Sequence, residues 1–111
     1  MMKKTTLICV LSLLTFFMAG FSASAQDGEK LYIYKFCTTC HGQRGKSIAP
    51  NYPNLAKQNQ RYLVNQVKDI IAKKRANKLT LLMTEHPIVT SVSDEEIAAI
   101  AAHLTNIKQS P

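Results

Sequence analysis

The chain has 111 residues, of which 46% are apolar and 19% are charged, and its formal net charge is +7. These values are typical of one small globular domain and exclude a multidomain enzyme, a repeat solenoid and a disordered tail. A domain of this size has a thin core. We therefore expect a disulfide, a metal or a cofactor to stabilise it.

Residues 1–25 have the three parts of a secretory signal peptide. Two lysines precede an apolar run over residues 7–18, and Ala23-Ser24-Ala25 is a small-x-small cleavage pattern. We expect cleavage after Ala25, which leaves residues 26–111 as one domain of net charge +5 and predicts a periplasmic location. An uncleaved membrane anchor is the alternative, but the run is shorter than the ~20 residues needed to span a bilayer.

Three segments after the signal have helical patterns, from Gly28 to about Phe36, from about Gln60 to Arg75, and from Ser93 to about Ile107. The last is the clearest, because Ser93 and Glu96 have the spacing of a capping box that precedes an apolar stripe. Residues 42–55 and 77–92 contain helix-breaking Gly or Pro, so we predict loops there. No stretch alternates as a strand does, and the fold class predicted is all-α.

Residues 37–41 read Cys-Thr-Thr-Cys-His, a C-x-x-C-H motif. In an exported protein this motif is typical of covalent haem attachment. The thiols of Cys37 and Cys40 have the spacing to reach two vinyl groups on one side of a porphyrin, and His41 then lies where it can bind the iron. The motif predicts one covalent haem c with its iron, which also supplies the apolar body that the core lacks.

Two other sites use C-x-x-C. A thioredoxin-like disulfide switch requires a βαβ context, which this sequence does not provide. A zinc site requires two further Cys or His ligands at suitable spacing, whereas residues 26–111 offer only the distant His86 and His103. The haem motif is the reading that the sequence favours.

The order of the motifs resembles the class I c-type cytochromes, in particular the small bacterial periplasmic ones. Gly28 and Tyr32 are similar to the family's N-terminal helix motif, and residues 37–42 to its haem signature with the trailing Gly. Residues 49–55 resemble the loop that follows, and residues 93–104 the final helix. The resemblance implies a cytochrome c fold, with three main helices and loops wrapped around one haem.

The same resemblance implies the roles of individual residues. Cys37 and Cys40 would hold the haem through thioethers, and His41 would be the proximal axial ligand. The Pro53 carbonyl would accept a hydrogen bond from the other ring nitrogen of His41, which orients the ring and raises its basicity. Leu55 would pack against the haem.

The distal iron ligand in this family is a Met on a segment before the last helix. Met83 is the only Met after Ala25, and it lies in that segment. A neutral thioether favours ferrous iron and raises the reduction potential. His86 is the alternative ligand, since imidazole also binds haem iron. His103 stands where the family has an aromatic ring, so we expect it to pack against Gly28 and Tyr32.

The resulting hypothesis is an electron carrier, not an enzyme, that cycles between Fe(II) and Fe(III) while docking on donor and acceptor proteins. A basic cluster precedes the Met83 segment and could steer an acidic partner; its members are Lys73, Lys74, Arg75 and Lys78. We expect no nucleic acid, no small-molecule substrate, and membrane contact only through a partner complex. A fixed haem subunit of a larger periplasmic oxidoreductase is the first alternative, and an open-site haem sensor or enzyme is the second.

Overall fold

The computed structural model describes residues 26–108, and within that range the chain forms six helices and no strand. They are α1 Gly28–Tyr34, α2 Cys37–His41, α3 Gln60–Ile71, α4 Lys78–Thr84, α5 Pro87–Thr90 and α6 Asp94–Asn106. The all-α prediction is confirmed, and the three predicted helices are α1, α3 and α6. The predicted signal peptide, residues 1–25, lies outside the described residues. None of the described helices is long and apolar enough to cross a membrane.

The first and last helices pack directly against each other. At Gly28 a side-chain carbon would overlap the backbone carbonyl of Ala99, so only glycine permits this approach of α1 to α6. The ring centroids of Tyr32 and His103 are 6.0 Å apart. His103 Nε2 is buried and has no hydrogen-bond partner within residues 26–108. His103 therefore contributes by packing, as the sequence predicted, and not through a hydrogen bond of that nitrogen.

The core is small and joins three helices. Its buried side chains come from α1, α3 and α6: Tyr32, Leu63, Ile100, Ala101 and Leu104. Tyr32 is completely buried, and its hydroxyl donates a hydrogen bond of 2.7 Å to the Gly42 carbonyl oxygen. Burial raises the pKa of Tyr32 well above its ordinary value, so the hydroxyl keeps the proton that it donates. The bond ties α1 to the end of α2.

The prediction that residues 77–92 form a loop is wrong, because this stretch contains α4 and α5. Asn77 starts α4 with a reciprocal capping box, in which its side chain accepts from the Thr80 N–H and the Thr80 hydroxyl accepts from the Asn77 N–H. Pro87 is in the first turn of α5, where its missing N–H removes no helical hydrogen bond. The residue interpreted as a breaker therefore begins a helix.

Two predicted helix ends also lie too far along the chain. The first helix ends at Tyr34 and the second at Ile71. Lys73 has a φ of 57°, in the left-handed region, and this turns the chain out of α3. The N–H groups of Lys74 and Arg75 then both donate to the Asp69 carbonyl oxygen. The helix thus ends in a tight turn, and the basic residues at this end did not indicate where the turn begins.

The start of α6 is linked to the end of α1 by an ion pair of 3.0 Å between Lys35 Nζ and Glu96 Oε2. Glu96 also accepts a hydrogen bond of 2.9 Å from the Ser93 N–H. This bond and the bond from Lys35 lower the pKa of Glu96 below its ordinary value of 4.5. A carboxylate with a lowered pKa stabilises the fold when ionised, and that contribution is lost as the pH falls through its folded pKa.

We therefore expect Glu96→Gln to destabilise the protein near neutral pH and to have progressively less effect as the pH falls below about 4.5. Urea unfolding at neutral and acid pH measures the difference between variant and wild type. Glu95→Gln is the matched control, because Glu95 is an exposed neighbour in the same helical turn. An equal effect of Glu96→Gln at both pH values would show that the carboxylate charge is not what stabilises the contact.

Candidate cofactor site

A cavity of about 590 Å³ lies beside the core and opens to the surface. Its walls are mostly apolar, and its size is within the ~300–1,000 Å³ range of small-molecule and cofactor sites. Every residue that the sequence placed at the site lines it: Cys37, Cys40, His41, Pro53, Leu55, Met83 and the alternative ligand His86. Residues separated by up to 49 positions in the sequence thus share one cavity.

Helix α2 presents the two cysteines. Cys37 and Cys40 are three residues apart in this helix, which places both side chains on one face. Both are half-buried, and neither forms a disulfide. Burial is the main cause that raises the pKa of Cys37, to about 11, so the thiol is protonated at neutral pH. Both sulfurs lie at the cavity wall, and within residues 26–108 no group of three or more His, Cys, Asp or Glu side chains could hold a metal ion together with them.

His41 ends α2 and is held by the loop opposite. Its Nδ1 lies 3.0 Å from the Pro53 carbonyl oxygen. Because a carbonyl oxygen only accepts, the proton of the neutral ring is on Nδ1, and the lone pair on Nε2 is available to a metal. Burial lowers the pKa of His41, and the hydrogen bond to Pro53 opposes this effect. The ring is therefore neutral at pH 7, which is the form that binds iron.

The loop that carries Pro53 is fixed by hydrogen bonds at both ends. The Gly45 carbonyl oxygen accepts from the N–H groups of Leu55 and Ala56 at 2.7 and 3.1 Å. The Ser47 N–H donates to Asn54 Oδ1 at 2.8 Å. Gly45 has a φ of 70°, which favours glycine, and a side chain there would press on Ala56. The segment is thus a loop, as predicted, and its hydrogen bonds hold the Pro53 carbonyl oxygen next to His41.

Met83 reaches the cavity from α4. Its side chain is half-buried, and α4 is anchored at its start by the capping box around Thr80, whose hydroxyl also donates to the Arg75 carbonyl oxygen at 3.2 Å. His86 follows α4, and its ring centroid lies 5.2 Å from that of Phe36, with the planes inclined by 33°. The structure brings the thioether and both imidazoles of the predicted site to one cavity.

Several residues of the cavity wall had no predicted role at the site. The Tyr52 ring centroid is 6.4 Å from that of His41, and Arg75 Nη1 donates to Gln66 Oε1 at 2.7 Å.

Arg75 is exposed together with the other members of the predicted basic cluster, Lys73, Lys74 and Lys78. Only the helical spacing of Leu63, Val67 and Ile70, which line the cavity from α3, could have indicated a wall from sequence.

This set of side chains fits a haem and its iron. Two unpaired thiols three residues apart suit two covalent bonds to one edge of a macrocycle, and a neutral imidazole and a thioether are both ligands for haem iron. The mostly apolar wall suits a flat apolar ring. A haem in this cavity would add the apolar contacts that so small a buried cluster lacks.

Comparisons with known proteins agree with this geometry. Residues 25–108 match the sequence family described as Cytochrome c. The chain is 43% identical over 74 residues to cytochrome c4 of Pseudomonas aeruginosa, a match that covers 67% of this chain and 34% of that protein. It is 40% identical over 70 residues to cytochrome c-554(548) of Halomonas halodenitrificans, which covers 63% of this chain and 82% of that protein.

A third relative is the thiosulfate dehydrogenase electron acceptor of Stutzerimonas stutzeri, 33% identical over 95 residues, which are 78% of this chain and 42% of that protein. The chain spans less than half the length of this relative and of the Pseudomonas cytochrome c4. The family match nevertheless extends over all of the described residues, and it confirms the predicted cofactor. The chain therefore belongs to the cytochrome c family, whose cofactor is a covalently bound haem c.

Proposed function

We propose that this protein is a monohaem electron carrier and not an enzyme, with His41 and Met83 as the axial ligands of the iron. The observation that carries this proposal is that Cys37, Cys40, His41 and Met83 line one cavity. The bound haem supplies an iron that changes between Fe(II) and Fe(III). A site with two protein ligands suits a carrier, because neither bond has to break when an electron moves.

The chain's own residues set the properties of the site. The carbonyl of Pro53 holds the His41 ring in one orientation and keeps the proton on Nδ1, which makes Nε2 a stronger donor. The thioether of Met83 is neutral and favours ferrous iron. The apolar wall excludes water and disfavours the extra charge of ferric iron. The thioether and the apolar wall bias the site toward a positive reduction potential, whereas the stronger His41 donor favours ferric iron and opposes them in part.

The ligand assignment is tested by the ferric absorption spectrum of the purified, haem-loaded protein. We expect the weak long-wavelength band of sulfur-bound ferric iron in the wild type, and its loss together with a lower reduction potential in Met83→Ala. His86→Leu is the matched control and should keep the band. A wild-type spectrum of six-coordinate iron without the band, changed by His86→Leu, would instead make His86 the distal ligand.

For the partner we propose a redox protein with an acidic docking surface. The basic cluster is exposed, and Arg75 belongs both to it and to the cavity wall, which places positive charge beside the cofactor. Compensation of a helix dipole does not explain the whole cluster, because Lys78 is the first residue of α4, where positive charge is unfavourable. The name of the relative from Stutzerimonas stutzeri, an electron acceptor of a dehydrogenase, supports a protein partner.

This steering is measurable with small ions in place of the unidentified partner. We expect the double variant Lys74→Gln with Lys78→Gln to be oxidised several-fold more slowly than wild type by hexacyanoferrate(III) at low ionic strength, with the difference vanishing at high salt. The double variant Lys30→Gln with Lys46→Gln has the same net charge and serves as the control. An equal decrease of the oxidation rate in both double variants would show that the net charge of the protein sets the rate and that the position of the basic cluster does not.

We further propose that the mature protein is periplasmic and begins at Gln26. The support is the signal-peptide pattern of residues 1–25 and the start of the family match at residue 25. The intact mass of protein purified from the periplasm is expected to equal residues 26–111 plus one covalently bound haem. A mass that retains the first 25 residues would favour the membrane-anchored alternative.

A further inference from the structure

Phe36 has an unusual backbone at the entrance of the cavity. It directly precedes Cys37 and adopts φ 62° and ψ 17°, in the left-handed region that bulky residues seldom occupy. Its side chain is 46% exposed and lines the cavity. Phe36 is the N-cap residue of α2, so the left-handed backbone lies at the start of the helix that presents both cysteines.

His86 meets this ring from the other side. It is the N-cap residue of α5, yet its side chain makes no capping hydrogen bond. Instead the ring lies against Phe36 in a tilted arrangement, with 5.2 Å between the ring centroids and 33° between the ring planes, and this separation is within the range of about 4.5–7 Å for interacting aromatic pairs. The two residues are 50 positions apart, so the contact joins the segment of the thioether cysteines to the segment of Met83.

The middle of the Met83 segment is less buried than its two ends. Thr80 and Val89 are buried at its two ends. Most residues between them are exposed: Leu81, Leu82, Glu85, His86, Pro87 and Ile88. The contact of His86 with Phe36 adds a restraint between the two buried ends, three residues from Met83.

We propose that the Phe36–His86 contact is a clasp that closes the cavity mouth and makes Met83 harder to displace from the iron by external ligands. His86 is then a positioning residue and not an iron ligand. The inference rests on the proposed ligation by Met83. Loss of either the Phe36 ring or the His86 ring is expected to ease the displacement of Met83 equally, because each ring acts only through its contact with the other.

The test is a competition with imidazole in the ferric, haem-loaded protein at neutral pH, followed by loss of the long-wavelength sulfur band. An aromatic pair is worth a factor of about 2–12 in an equilibrium. We expect Phe36→Leu and His86→Leu each to strengthen apparent imidazole binding by about that factor. The double variant should add little to the larger single effect, since the pair is already broken.

Two further variants separate the clasp from general loosening. Phe36→Tyr keeps the ring and should retain the wild-type affinity for imidazole. Tyr34→Leu removes an aromatic ring that is 69% exposed and does not line the cavity, and it should also have no effect. A change in Tyr34→Leu as large as in Phe36→Leu would overturn the clasp.

The failure of the clasp and the failure of the ligand assignment give different results. A wild-type sulfur band together with unchanged imidazole affinity in both single variants overturns the clasp and leaves Met83 as the ligand. Additive effects in the double variant overturn the clasp as well, because independent residues would produce them. Absence of the sulfur band from the wild type before any imidazole is added overturns the Met83 assignment, and the clasp with it.

Discussion

Replacing Leu104 with Ala is expected to lower the free energy of unfolding of the haem-loaded protein by about 2–5 kcal/mol. Leu104 is 2% exposed, belongs to the core cluster that joins α1, α3 and α6, and also lines the cofactor cavity. Its removal takes apolar surface from the core and leaves a void beside the cofactor. For a small domain this is a large share of a total stability of about 5–15 kcal/mol.

Denaturant unfolding, followed by far-ultraviolet circular dichroism of the helices and by haem absorption, measures the effect of Leu104→Ala on the free energy of unfolding. Leu81→Ala is the matched control, since Leu81 is 41% exposed on α4 and does not line the cavity. We expect Leu81→Ala to lower the free energy of unfolding by well under half as much as Leu104→Ala does. Equal losses in the two variants would mean that the core does not lie where α1, α3 and α6 meet.

The second large effect is expected at Gly42, which follows His41, the proposed iron ligand. Its φ of 77° and ψ of 158° lie in a region that is almost confined to glycine, and an added side-chain carbon would overlap the Lys46 carbonyl oxygen. Strain and overpacking each cost roughly 1–3 kcal/mol, so we expect Gly42→Ala to destabilise by about 3 kcal/mol or more. The carbonyl that accepts from Tyr32 would move as well.

This substitution should affect the site as well as the stability. Since Gly42 fixes the chain immediately after His41, we expect Gly42→Ala to broaden the absorption bands of the haem-loaded protein and to make its iron more open to external ligands. Gln43→Ala, at an exposed neighbour, is the control and should leave both properties unchanged. A Gly42→Ala protein with wild-type stability would contradict the backbone geometry of this turn.

Local patterns in the sequence predicted those parts of the fold that depend on neighbouring residues. The capping box of Ser93 and Glu96 starts α6 as expected, and Asp27 caps α1 by accepting from the Lys30 N–H. The C-x-x-C-H spacing likewise placed two thiols and an imidazole on one short segment. These features need no information from elsewhere in the chain.

Both local and distant interactions account for the differences between the predicted and the observed structure. Pro87 indicates a loop by its residue type alone, but it lies in the first turn of α5, where proline is tolerated. A Thr in place of the usual Glu completes the capping box of Asn77 and concealed the start of α4. The contact of Phe36 with His86 joins positions 50 residues apart, and no local signal announces it.

We propose that one haem, held by Cys37 and Cys40, exchanges single electrons while His41 and Met83 stay bound to its iron. An optical redox titration of the haem-loaded protein, followed by exposure of the reduced sample to carbon monoxide, tests it most directly. We predict one reversible one-electron transition and a reduced spectrum that carbon monoxide leaves unchanged. Hysteresis in the titration, or rapid binding of carbon monoxide, would contradict the claim by showing that a protein ligand leaves the iron.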